Sequence, residues 1–168
     1  MRIRQATDED LGAILAVVRR VVPLMQASGN QQWGADYPNR EVFARDVTNS
    51  ELWVAELAGQ VAGVVAICRE QSPEYADAGW DLSASALVVH RLAVAPEARG
   101  HGVAAALMAQ AERLARASRI TQIRLDTNTE NKPMQALVER LGYALVGEIS
   151  LLRRPGLRFR CYEKVLST

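Results

Sequence analysis

The stretch VAPEARGHGVAAALMAQAERLARAS, Val94 to Ser118, decides how the rest of the chain is read. A strand-like run ends at Val94, the chain turns at Ala95-Pro96-Glu97-Ala98, and a helix follows whose inward face carries Val103, Leu107, Ala111 and Leu114. Arg99, Gly100, His101, Gly102, Val103 and Ala104 then read as the first helical turn. At a helix start the backbone N–H groups are unpaired and the dipole is positive, so this turn suits an anion, and small residues let a phosphate come close. Arg99 adds a full positive charge. No Gly-Lys-Ser/Thr follows and the glycines do not fit Gly-x-Gly-x-x-Gly, which disfavours a nucleoside triphosphate or a dinucleotide.

Around this stretch strand and helix periods alternate without repeat, low-complexity tract or linker, and the fold class reads as α/β (α+β). Met1 to Ala6 alternates like a short strand, and Thr7 with Asp10 resembles a helix N-cap followed by a helix-start acid. Leu11, Ile14, Leu15, Val18 and Val22 recur on one helical face. Asn39 caps a second short helix around Val42 to Val47. Leu52 to Leu57 and Val61 to Ile67 read as a hairpin turning at Ala58-Gly59-Gln60. Ser72 to Ser83 is polar, broken by Pro73 and Gly79, and reads as a loop before a strand over Ala84 to Val94. Strands near Ile120 to Thr127, Ala144 to Arg153 and Arg158 to Val165 follow, with a helix at Asn131 to Leu141 among them.

At 168 residues the chain suits one domain over 1–168 with a real core. Hydrophobic residues at 49% and charged residues at 23% are the balance of a soluble globular protein. A net charge of +1 gives no reason to expect a nucleic-acid or membrane partner, which leaves small molecules as the default ligand. The start, Met1 to Asp8, has no apolar run of signal-peptide length, and Arg19 and Arg20 interrupt the longest apolar region, so a cytoplasmic location is expected. Cys68 and Cys161 lack Cys-x-x-Cys spacing and lie in apolar or strand-like runs, so they read as buried free thiols and no metal site is expected.

Arg99-x-x-Gly102-x-Ala104 matches the Arg/Gln-x-x-Gly-x-Gly/Ala signature, and here the chain resembles the GCN5-related N-acetyltransferase (GNAT) superfamily. His90 to Met108 looks like that family's fourth strand and following helix, and Asn128 to Glu148 like its later helix and strand, so the resemblance covers nearly the whole length. It implies a mixed, mostly antiparallel twisted sheet, splayed at the fourth strand and flanked by helices. It also implies acetyl-CoA as co-substrate, with its pyrophosphate on the N–H groups from Arg99 to Ala104. The pantetheine arm would lie along Leu92, Ala93 and Val94 like an added strand, with Asn131 bonding it. Asn131 also reads as the N-cap of the helix carrying Met134, Leu137, Val138 and Leu141.

The chemistry the family implies is direct attack of an amine on the acetyl thioester. A lysine-type amine has a pKa of about 10.4 and an α-amine about 8, so a base must take a proton first. A backbone N–H near Leu92 to Val94 would serve the oxyanion, and a thiol of pKa about 8.5 is a tolerable leaving group. The sequence departs from the family at both proton-transfer points. Many members carry Tyr as general acid where this chain has Val138, and the stretch Ser85 to His90 lacks the glutamate base of others. A general acid is worth about a hundredfold or more. Tyr143 and Tyr162 are candidate substitutes, though each also reads as a ring packed in a strand. His90 is a candidate base that shares an alternating face with Val88, Leu92 and Val94, and so also reads as a sheet histidine. Glu70 and Asp81 flank the loop and are within reach of the cleft, although charged loop residues usually face water.

In this family the loop between the first two helices shapes the acceptor pocket. Here it reads ASGNQQWGADYPNRE, in which Gln32, Trp33 and Tyr37 offer flat surface with hydrogen-bonding ends, and a lid packing Trp33 on the core is the alternative. Gln-Trp-x-x-x-Tyr-Pro together with RPGLRFRCYEKVL resembles a bacterial subgroup of the superfamily. Arg158 and Arg160 in the last strand are candidate contacts for an acidic acceptor, with alternating charges on an exposed strand face as the commoner explanation. The leading expectation is acetyl transfer to a primary amine of a small molecule, with a homodimer one assembly open to the chain. A non-catalytic CoA-binding sensor, motivated by Val138, and a protein or aminoacyl-tRNA acetyltransferase are the alternatives.

Overall fold

Seven strands form one sheet in the computed structural model, which describes residues 1–167. The strands are β1 (Arg2–Gln5), β2 (Leu52–Leu57), β3 (Gln60–Cys68), β4 (Ala86–Val94), β5 (Gln122–Asn128), β6 (Ala144–Ser150) and β7 (Arg158–Val165), in the order β1-β2-β3-β4-β5-β7-β6. Every neighbouring pair is antiparallel except β4 with β5, giving the mixed, mostly antiparallel sheet that the family resemblance implies. The helices are α1 (Leu11–Ala27), α2 (Arg40–Thr48), α3 (Val103–Ala117) and α4 (Lys132–Arg140).

Local sequence explains most boundaries. The β2–β3 hairpin turns on Ala58 and Gly59, at φ of +52° and +76°, the paired left-handed residues a two-residue loop needs to match strand twist. Ahead of α1 the Asp10 carboxylate accepts the Thr7 N–H at 2.8 Å and clasps Arg4 through both oxygens. Asn39 caps α2 by accepting the Val42 N–H at 3.0 Å. Strand β3, apolar from Val61 to Cys68 and buried over most of its length, is the centre of the core. Gly63 lets α3 settle on it, because a Cβ there would lie 2.7 Å from Val103 Cγ1 and 3.0 Å from the Ala93 carbonyl.

The segment read as a plain loop, Ser72 to Ser83, contains a 3-10 turn at Pro73–Ala78. Tyr75 and Trp80, edge to face at 4.9 Å between centroids, bury it against Cys68, Val88, Ile149, Phe159 and Cys161 in a second apolar cluster. Arg124 lies over Trp80 and pairs with Glu163 at 2.8 Å.

Two irregularities in β4 position everything that follows. Its pairing with β5 covers only Ala86, Leu87 and Val88 against Gln122, Ile123 and Arg124, although β4 runs on to Val94 and β5 to Asn128. Beyond Val88 the strands part, which is the splay. On the other side, β3 meets β4 with Ala66 opposite His90 but Val64 opposite Ala93, so β4 holds one extra residue. That bulge has Arg91 at φ +53°, a conformation costing a non-glycine residue about 1–2 kcal/mol. Arg91 is held there by both oxygens of Asp46 on α2, at 2.7 and 2.8 Å. The bulge also breaks the alternation expected of β4, so the inference that His90 shares a face with Leu92 and Val94 does not hold.

Candidate active site

The splay opens into a cleft of about 640 Å³ between β4 and β5, walled by α1, the α1–α2 loop, the turn into α3 and the start of α4. At one end lies the glycine-rich turn. Its helix begins later than the sequence suggests: Pro96–Ala98 form a 3-10 turn, Arg99 is extended, and α3 starts at Val103, so Arg99 to Gly102 lie outside its first turn. Gly100 and Gly102 sit at φ of +81° and +76°, and a Cβ on either would meet nothing within 4 Å. Backbone conformation therefore demands the glycines, and the space where their side chains would stand is open. The Ala106 N–H donates to the Gly102 carbonyl as the first bond of α3, which leaves the amides just ahead of it without helical acceptors. Arg99, Gly100, Gly102, Val103 and Ala104 all line the cleft. His101 does not: its amide donates to the Ala98 carbonyl and its Nδ1 lies 3.1 Å from the Arg99 carbonyl, so it braces the turn from outside.

Leu92, Ala93 and Val94 form the middle of the cleft. Past Val88 the β5-facing edge of β4 has no strand partner, so its backbone groups there are available to an extended ligand. Asn131 faces the same space. Its side-chain oxygen caps α4 through the Met134 N–H at 3.4 Å, and its amide donates to Thr127 Oγ1 at 2.9 Å, leaving one N–H uncommitted.

At the other end the α1–α2 loop closes over the strand ends. Gln32 lines the cleft and accepts the Asn128 N–H through its side chain at 3.1 Å, while its carbonyl accepts from Arg154 at 2.8 Å. Trp33 packs in the core at 5% exposure, as a lid would, and also lines the cleft. The Tyr37 hydroxyl accepts from Arg91 at 2.9 Å, and its ring lies beneath Arg153 and Arg154.

His90 and Asp126 stand level across the mouth of the splay, each two residues beyond the last β4–β5 pair, Val88 with Arg124. Burial pushes the His90 imidazole down to about 3, helped by the charges of Arg91 and Arg153, so the ring is neutral at physiological pH. Burial raises the Asp126 carboxyl above its ordinary range, against the opposing effects of the Tyr75 hydroxyl, which donates to Oδ2 at 2.6 Å, and of Arg153. Asp126, Arg153 and Arg91 are cleft residues that sequence reading missed. Each depends on strand register or on loops far apart in the chain, and no local pattern marks them.

Three residues singled out from sequence stand elsewhere. Tyr143 is 3% exposed in the main core, and its hydroxyl has no hydrogen-bond partner among the described residues. Tyr162 is fully buried and donates to Glu139 at 2.9 Å. Neither lines the cleft. Arg158 sits exposed on β7, donating to Ser150 Oγ at 3.0 Å. Val138, at the family's tyrosine position, is fully buried in the core. Glu70 and Asp81 do not reach the cleft; the Asp81 carboxylate accepts from Ser83 instead. Cys68 and Cys161 are buried free thiols, pushed up by burial to about 11 and about 12. Among the described residues no three His, Cys, Asp or Glu side chains gather as a metal site, and no helix is long and apolar enough to cross a membrane.

A splayed β4–β5 pair leading into a glycine-rich turn fits an acetyltransferase. The family model described as "Acetyltransferase (GNAT) family" matches residues 19–143, and the chain belongs to that family of acetyltransferases. The 5-NmdU N-acetyltransferase of Pseudomonas phage PaMx11 is 26% identical over 141 residues, spanning 80% of this chain and 91% of the phage protein. N-acetyltransferase 8B of Mus musculus is 30% identical over 115 residues, spanning 64% of this chain and 47% of the mouse protein, so the match covers about half the length of that relative. The crystal structure of a GNAT-family acetyltransferase from Streptococcus agalactiae 2603 superposes with a TM-score of 0.82 at 27% identity, covering 99% of this chain and 96% of that one.

Proposed function

We propose that the protein moves an acetyl group from acetyl-CoA to the primary amine of a small molecule, by direct attack with donor and acceptor bound together. The observation that carries this reading is a single cleft with an anion cradle at one end and an ionisable carboxylate, Asp126, at the mouth of the splay. The cradle fits the donor because open space adjoins Gly100 and Gly102 on their Cβ side and uncommitted amides begin α3 beside Arg99. Bound acetyl-CoA supplies an activated thioester. The open edge of β4 at Leu92 to Val94 and the spare N–H of Asn131 hold the arm, and a β4 amide near the bulge is the donor for the developing oxyanion.

Asp126 is the proton acceptor in this reading. Tyr75 occupies Oδ2, leaving Oδ1 to take a proton from the incoming ammonium group. A carboxyl raised by burial is a better base than a solvated one, because its affinity for the proton lies nearer the working pH. His90, with a conjugate acid near 3, is too weak a base and serves as a neutral wall of the pocket.

Thiol release from acetyl-CoA across a panel of amines tests the reading, with calorimetric CoA binding alongside. Asp126→Asn is expected to lower kcat about a hundredfold or more while CoA affinity holds. Gly102→Leu, forced into a left-handed conformation, is expected to weaken CoA binding first. Undiminished turnover by Asp126→Asn would remove the base, and absence of CoA binding by the parent protein would remove the whole reading.

A further inference from the structure

Arg91, Asp126 and Arg153 line the acceptor end of the cleft, and Arg154 lies next to Arg153 outside the lining; two of the four are neutralised by partners within the chain. Arg91 is clasped by Asp46 at 2.7 and 2.8 Å. Arg154 is clasped by Asp36 at 2.9 and 3.1 Å. The remaining pair is Asp126, which the Tyr75 hydroxyl alone contacts, and Arg153, at the β6–β7 turn. Among the described residues Arg153 makes no hydrogen bond and no ion pair within 4 Å, although its guanidinium lies 5.7 Å from the centroid of the Tyr37 ring and its field reaches Asp126, His90 and Glu74. The carboxylate of Glu74 is already taken by Ser72 Oγ and the Leu152 N–H.

We infer that this end of the cleft receives a zwitterion: a small amino acid whose ammonium group meets Asp126 and whose carboxylate meets Arg153. The inference rests on the acetyl-transfer reading and names its acceptor class. An amine without an acid group gains nothing from Arg153, whose exposed guanidinium then stays hydrated, whereas a carboxylate opposite it gains a paired, charge-assisted contact of the kind arginine is shaped to give. The Arg153 guanidinium lies over the Tyr37 ring at the cleft wall, and the Arg91 bond to the Tyr37 hydroxyl fixes that ring. The place of Arg153 differs from that of Arg158, which points to Ser150 on the exposed edge of the sheet. Trp33 and Met25 add an apolar wall, which suits an acceptor with an uncharged side chain.

The test compares methionine, phenylalanine and alanine with their carboxamides and their decarboxylated amines, measuring kcat/KM with saturating acetyl-CoA. The parent protein is expected to prefer the free acid at least about tenfold, the scale of one charge-assisted contact. In Arg153→Gln the acid-to-amide ratio is expected to fall toward one, and in Arg153→Glu below one. Thermal melting checks that both variants fold, as exposed turn substitutions should. Equal use of acid and amide by the parent, or a preference that survives Arg153→Gln, would overturn the inference. If CoA binds but no amine is acetylated, the transfer reading fails by itself. Calorimetry of methionine against methioninamide on the CoA-loaded protein, parent and Arg153→Gln, then decides the inference separately.

Discussion

A buried hydroxyl with nothing to bond is a liability in a folded chain, and Tyr143 carries one. Burial, with a smaller contribution from Glu112, pushes its ionisation well above the ordinary tyrosine value, and Lys164 sits over its ring. Tyr143→Phe is expected to leave turnover intact and to hold or raise the melting temperature, since removing an unpartnered polar atom relieves a desolvation cost of about 1–3 kcal/mol. A fall in kcat would restore it as an acid acting through a rearranged site. His90 gives a second prediction, on pH. Folded, it stays neutral down to about 3, whereas unfolded it takes up a proton near 6.5. Between those values the unfolded chain binds more protons, so this residue makes stability rise with pH and fall as acid is added. Urea melts at pH 7 and pH 5 should show a larger loss for the parent than for His90→Gln; parallel losses would exclude the assignment.

At the scale of elements, what was legible in the sequence was what neighbouring residues determine. Strands β2 and β7 fall where alternation and turn residues put them, and α2 begins at its asparagine cap. The start of α3 was misread because composition marks glycine but not its dihedral angle; two left-handed residues push the helix start to Val103. The segment around Tyr75 and Trp80 was misread because its burial depends on Ile149, Phe159 and Cys161, far along the chain. Gly63 illustrates a dependence of the same kind between β3 and α3. Gly63→Ala is expected to cost about 1–3 kcal/mol through overpacking against Val103 and the Ala93 carbonyl. By shifting the first turn of α3 it should also raise the Kd for CoA, measured by calorimetry. Unchanged stability and affinity would mean that the helix gives way without loss.

For the whole molecule, the donor half of the cleft was legible because its signature is contiguous, Arg99 to Ala104. The acceptor half is assembled from the α1–α2 loop, β4, β5 and the β6–β7 turn, so Asp126 and Arg153 come to line one cleft only through topology. That same topology has a mechanical consequence. Strands β1 to β4 and strands β5, β7 and β6 form two plates stitched by three residue pairs along one seam. A ligand lying along Leu92 to Val94 would replace the missing rungs of the ladder and act as a clasp. Amides there should therefore exchange with deuterium at least about tenfold more slowly once CoA is added, and thermal unfolding should sharpen, since binding only the closed form stabilises it by mass action. Unaltered exchange along β4 would mean that the plates are clasped by their helices alone, and that the seam bears none of the strain of opening.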